Sequence, residues 1–83
     1  MNKHERTLEA IQAEPVRSNI KWVDIEALLK HLGAEISEGR GSRMRVVLNN
    51  VRAVFHRPHP SPNTDKGAVK SVRRFLEHAG VIS

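Results

Sequence analysis

Two six-residue runs, "RMRVVL" at 43–48 and "VRAVFH" at 51–56, flank the dipeptide Asn49-Asn50. Asparagine tolerates positive φ, so Asn-Asn serves as a two-residue hairpin turn whose twist suits antiparallel strands. Such a turn sets Leu48 opposite Val51, Val47 opposite Arg52, Met44 opposite Phe55 and Arg43 opposite His56. Side chains alternate along a strand, so this register sorts them by face. One face carries Met44, Val46, Leu48, Val51, Ala53 and Phe55, all apolar. The other carries Arg43, Arg45, Val47, Arg52, Val54 and His56. A chain with this hairpin must cover the first face and is free to use the second.

The flanking segments supply the cover. "WVDIEALLKHLG" sets Trp22, Ile25, Leu28, Leu29 and Leu32 on one helical stripe, and Gly33 sits where a left-handed C-cap ends it. Residues 65–79 form a last helix, with Thr64 or Asp65 as its cap. Val69, Val72, Leu76 and Ala79 line its core side, with Ala68 and Phe75 beside them, and Gly80 closes it. Residues 3–14 favour helix up to Pro15, with Leu8 and Ile11 as a thin apolar stripe. "PVRSN" is a connector, "AEIS" a short edge strand, "EGRGS" a loop, and "RPHPSPN" a stiff loop poor in backbone donors. The expected architecture is a two-layer α+β domain spanning 1–83, with helices on the apolar face of a small antiparallel sheet. Residues 1–19 form its N-terminal helix and connector, and residues 20–83 its core.

Eighty-three residues is near the lower end for a self-sufficient core, and 39% hydrophobic with 28% charged residues is ordinary for a folded soluble chain. The absence of cysteine removes disulfides, thiol nucleophiles and Cys-containing zinc sites, and suits a cytoplasmic location. Apolar runs are too short to span a membrane, and "MNKHERTLEA" has no signal core. A net charge of +5 points to a polyanionic or acidic partner. With two Phe, one Trp and no Tyr, a base-stacking platform is poorly supplied.

Arg43, Arg45 and Arg52 share the free hairpin face with His56 at its rim. Like charges across strands cost stability, so the cluster wants an anion. Three sources are open: carboxylates of a neighbouring strand, such as Glu35 or Glu38, phosphates of a nucleic acid, or the acidic groups of a protein partner. Lys66, Lys70, Arg73 and Arg74 form a stripe on the last helix, and no acid interrupts it before Glu77. Lys66 also stands where it could share a phosphate with the helix's first N–H groups. Contact with nucleic-acid phosphates is therefore expected from Arg43, Arg45, Arg52, Lys66, Lys70 and Arg73. Of the five histidines, His4, His31 and His78 are expected on solvated helix surfaces. His56 and His59 lie among arginines, where imidazole as acid or base and guanidinium beside a developing phosphorane suit phosphodiester cleavage. Without a nearby acid or Cys, they make a poor metal site. No metal, cofactor or membrane partner is expected.

Taken together, "DIEALLKHLGAEI", Gly41-Ser42 opening the hairpin, the His59 loop and "KGAVKSVRRFLEHAG" resemble the HicA toxins of HicAB toxin–antitoxin modules, from Trp22 to Gly80. The resemblance implies a double-stranded-RNA-binding-domain-like α-β-β-β-α fold, to which residues 3–14 add an N-terminal helix. It also implies an endoribonuclease that cuts mRNA, held inactive by a HicB-type antitoxin. Many HicA proteins carry a histidine just after the Gly-Ser pair, whereas Arg43-Met44-Arg45 follow here. His56, opposite Arg43, offers a substitute, and His59 matches the family's loop histidine. The alternative is a basic RNA-binding domain without catalysis.

Overall fold

In a computed structural model that describes residues 1–83, the Asn49-Asn50 turn holds both central residues at positive φ, 50° and 66°. That is the mirror-image turn expected of a tight hairpin. The strands it joins pair in the register the turn requires, from Leu48↔Val51 to Arg43↔His56. In chain order the elements are α1 (Lys3–Ile11), β1 (Ile20–Lys21), α2 (Trp22–His31), β2 (Glu35–Glu38), β3 (Arg43–Leu48), β4 (Val51–His56), β5 (Asn63–Thr64) and α3 (Lys66–His78). An antiparallel sheet of order β2-β3-β4 is joined by a separate two-residue ladder of β1 with β5. Apart from the two-residue β5, which belongs to the separate ladder, the order from α2 to α3 is the α-β-β-β-α of a small double-stranded-RNA-binding-type fold.

The apolar hairpin face enters the core. Met44 and Val46 are fully buried, Leu48 and Phe55 nearly so, and they meet Ile25, Leu28 and Leu29 of α2 and Val69, Val72, Phe75 and Leu76 of α3. Removing such side chains from water stabilises the fold by about 1.5–3 kcal/mol each. Three aromatic rings stitch the layers edge to face: Trp22 to Phe55 at 6.0 Å between centroids, and Phe55 to Phe75 at 5.7 Å. The Asp65 carboxylate caps α3 by accepting from the Ala68 amide at 2.8 Å. Asn49 closes the other end of the same helix, donating its side-chain amide to the Ala79 carbonyl at 2.8 Å. The turn that sets the hairpin register thus also holds α3.

Three local readings change. The first helix stops at Ile11 rather than running to residue 14: Pro15 has no N–H to donate to the Ile11 carbonyl four residues back, and Arg73 Nε donates to that carbonyl instead. The connector and the proline-rich loop meet as β1 and β5, with Ile20 opposite Thr64, and the Trp22 amide donates to the Pro62 carbonyl at 3.0 Å. His4 and His31 are not independent solvated groups: their rings stack at 4.2 Å with an interplanar angle of 13°. That stack, the Lys3–Asp24 pair at 3.1 Å and the fully buried Ile11 fasten α1 to the helical layer.

Candidate nucleic-acid interface

With both long helices on one face of the sheet, the other face lies open. Arg43, Arg45, Arg52, Val54 and His56 are all exposed there, with Val47 half-buried among them. The carboxylate alternative for these arginines is not realised. The ion pairs of the chain are Lys3–Asp24, Arg57–Glu26, Arg57–Glu38 and Arg73–Glu14. Arg45 reaches only the backbone carbonyl of Glu38, at 3.3 Å. Glu35 and Ser37 of β2 pair with Val47 and Arg45, yet no carboxylate within ion-pair reach neutralises Arg43, Arg45 or Arg52.

The loop from β2 to β3 concentrates this charge further. Gly41 adopts φ +60°, and a Cβ on Gly39 would stand 3.0 Å from that of Arg43. The two glycines let the loop fold back tightly, with the Gly39 amide donating to the Arg43 carbonyl and the Arg43 amide to that of Arg40. As a result Arg40, Arg43 and Arg45 line one cavity of about 190 Å³, walled by Gly39 and Val54. Reading the sequence by strand alternation passed over Arg40, because it lies in the loop. The signal was there in "GRGS", where glycines flank an arginine. Next to it, Arg45 and Arg52 flank a shallow aliphatic depression of about 460 Å³ floored by Val47 and Val54.

His56 projects from the end of β4 on this same face, directly across from Arg43. The two lie at a non-hydrogen-bonded position of the ladder, since the adjacent Arg57 amide donates to Ser42. Side chains at such positions approach most closely. His59 is exposed in the loop beyond.

Between the two histidines stands Arg57, which strand alternation alone does not mark as part of the site. Its side chain turns to the opposite face of the sheet. Nε donates to Glu26 of α2 at 2.5 Å, and the two terminal nitrogens donate to Glu38 of β2 at 2.5 and 2.9 Å. Glu26 also accepts from the Trp22 indole at 2.6 Å. The network raises the Arg57 pKa, first through the hydrogen bond to Glu38 and then through that to Glu26. It holds the Glu38 carboxyl below its ordinary value of 4.5, chiefly by the Arg57 hydrogen bond. Arg57 thus anchors the root of the histidine loop to α2 and β2.

On α3 the expected set divides. Lys66 and Lys70 are exposed, but on the helical layer rather than the hairpin face. The helix N-terminus that Lys66 was expected to share with a phosphate already holds an anion, the Asp65 cap. Arg73 points inward to α1, donating to the Ile11 and Ala13 carbonyls at 2.9 and 3.0 Å and to Glu14 at 2.6 Å. Its nitrogens are engaged in holding the N-terminal helix, so it does not join the exposed cations. No group of three or more His, Asp or Glu side chains converges as a metal site. No helix is long and apolar enough to cross a membrane.

Neither a curated protein nor a solved structure matched the chain. A family model did: residues 22–81 match the HicA toxin of bacterial toxin–antitoxin systems. That span runs from the first residue of α2 to just beyond α3, taking in the arginine face, the Gly41-Ser42 loop and both candidate histidines, and leaving α1 outside. The chain therefore belongs to the HicA toxin family.

Proposed function

We propose that this toxin is an endoribonuclease acting on mRNA in the cytoplasm and restrained by a HicB-type antitoxin. The observation that carries the reading is the cross-strand pair of His56 and Arg43 beside the cavity lined by Arg40, Arg43 and Arg45. Three guanidiniums without carboxylate partners form an anion site, and a phosphodiester is the anion that also gives a neighbouring imidazole work to do. In cleavage, one imidazole accepts the proton of the ribose 2′-hydroxyl as its oxygen attacks phosphorus. The other returns a proton to the departing 5′-oxygen. Guanidiniums placed against the phosphoryl oxygens favour the pentacovalent state, where negative charge is greatest. His56 and His59 fill the two proton-transfer roles, and Arg52, on the same face, holds a flanking phosphate without reading sequence.

A second reading, RNA binding without cleavage, is favoured by one observation: Arg43 stands directly after Ser42, where many family members have histidine. The chemistry of the products separates the two. Incubation with a long mRNA should yield fragments with 2′,3′-cyclic phosphate ends. Intact RNA that still binds, with an affinity falling steeply as salt rises, would support the second reading instead.

A further inference from the structure

β4 is an edge strand whose outer backbone groups have no partner. The Arg57 amide donates to the Ser42 carbonyl at 2.9 Å, which sets the phase of the ladder. Residues 51, 53 and 55 of β4 therefore exchange hydrogen bonds with β3, and residues 52, 54 and 56 turn their N–H and C=O groups away. No strand lies beyond β4, and no loop or turn bond uses the backbone of Arg52, Val54 or His56. Folded proteins normally shield such an edge. Here a groove of about 200 Å³ follows it instead, running beside residues 51–55 and walled by Ser71, Arg74, Phe75 and His78 of α3.

An open edge alongside a helix is the geometry that accepts an added strand. Side chains of an incoming strand would alternate between two surroundings. Those turned toward α3 would meet the Phe55 and Phe75 rings with Arg74 at the rim, and those turned outward would lie beside Arg52 and Val54. Both sides present a cation next to an apolar surface, which suits a segment mixing acidic and aliphatic residues. A second copy of this chain suits it badly. Pairing β4 with itself would bring the Arg52 and Arg74 rims of two chains, each of net charge +5, against one another.

We propose that the antitoxin adds an extended acidic segment to the β4 edge, seated in the groove between β4 and α3. Such a strand would neutralise Arg52 and lie beside His56. On the ribonuclease reading proposed above, it would inhibit by occupying the border of the active face.

The probe is the capped heptapeptide Glu-Val-Glu-Val-Glu-Val-Glu, with its Lys-for-Glu counterpart as control, titrated into the full chain and followed by amide hydrogen exchange. At saturation the acidic peptide should slow exchange at the Arg52, Val54 and His56 amides by about tenfold or more, and the basic one should not. Arg74→Glu, at an exposed position of α3, should weaken the acidic peptide by about tenfold. Perturbation confined to Arg43 and Arg45, with the edge amides unprotected, would overturn the proposal. So would edge protection that grows with protein concentration in the absence of peptide, which would assign the edge to a second copy. RNA binding measured on the same sample keeps the two ideas apart: its absence would sink the ribonuclease reading and leave the edge result intact.

Discussion

Arg57 grips Glu38 with both terminal nitrogens, at 2.5 and 2.9 Å, and ties β2 to the residue that separates His56 from the histidine loop. The same guanidinium reaches Glu26 of α2, so one side chain joins three elements beneath the proposed active edge. Glu38 is largely exposed, with side-chain accessibility of 66%, so solvent screens that half of the network. The Glu26 half is better sheltered, at 18%, so solvent screens it less.

Arg57→Ala should destabilise the chain by about 1–3 kcal/mol, because it strips a sheltered carboxylate of a charged partner. Lysine has no fork with which to hold two carboxylates, so Arg57→Lys should recover only part of the loss. Urea denaturation of the three proteins checks this, and equal stability of wild type and Arg57→Ala would contradict it.

The contact has a definite pH signature. The Glu38 pKa is lowered in the folded chain, so the ionised carboxylate contributes stability that is fully present above its ordinary value of 4.5. That contribution is lost as pH falls through the depressed folded value, and titration from 5 to 8 leaves it untouched. Carboxyl chemical shifts of Glu38 should titrate below 4.5 in wild type and move upward in Arg57→Ala. A wild-type midpoint at or above 4.5 would contradict the pairing.

Arg73 and Arg45 should separate stability from RNA affinity. Arg73→Ala removes three bonds to the end of α1 and should cost about 1–3 kcal/mol, leaving RNA affinity near wild type. Arg45→Ala should change stability by less than about 0.5 kcal/mol while weakening RNA binding and flattening its salt dependence. Thermal melts and binding isotherms at two salt concentrations check both. The reverse pattern would move the interface to α3.

Asn49 has two duties, a positive φ of 50° and the bond to Ala79 at the end of α3. Asn49→Ala pays for both, with about 1–2 kcal/mol for left-handed backbone and about 0.5–1.5 kcal/mol for the hydrogen bond. Asn49→Gly should lose only the second. Unfolding midpoints should therefore order as wild type, then Asn49→Gly, then Asn49→Ala.

What the sequence made legible was what short-range chemistry determines. The Asn-Asn turn and strand alternation specified the register, and with it the grouping of Arg43, Arg45, Arg52 and His56. The apolar stripes of α2 and α3 specified which faces cover the sheet. Long-range assignments were not legible. Arg57 finds Glu26 and Glu38 at separations of 31 and 19 residues, and Arg73 finds the end of α1 at separations of 59 to 62. Periodicity places an arginine on a face without saying which carboxylate arrives there. The β1–β5 ladder escaped for a different reason: two residues a side are too few to show alternation.

The most direct test of the ribonuclease account is cleavage of a long mRNA by the purified chain, by His56→Ala, by His59→Ala and by the double variant. EDTA should be present throughout, and circular dichroism should verify each fold. The account predicts wild-type cleavage that persists in EDTA and falls at least about 100-fold when an acid–base histidine is lost. Wild-type RNA that is bound but never cut, or cleavage undiminished in the double variant, would contradict it.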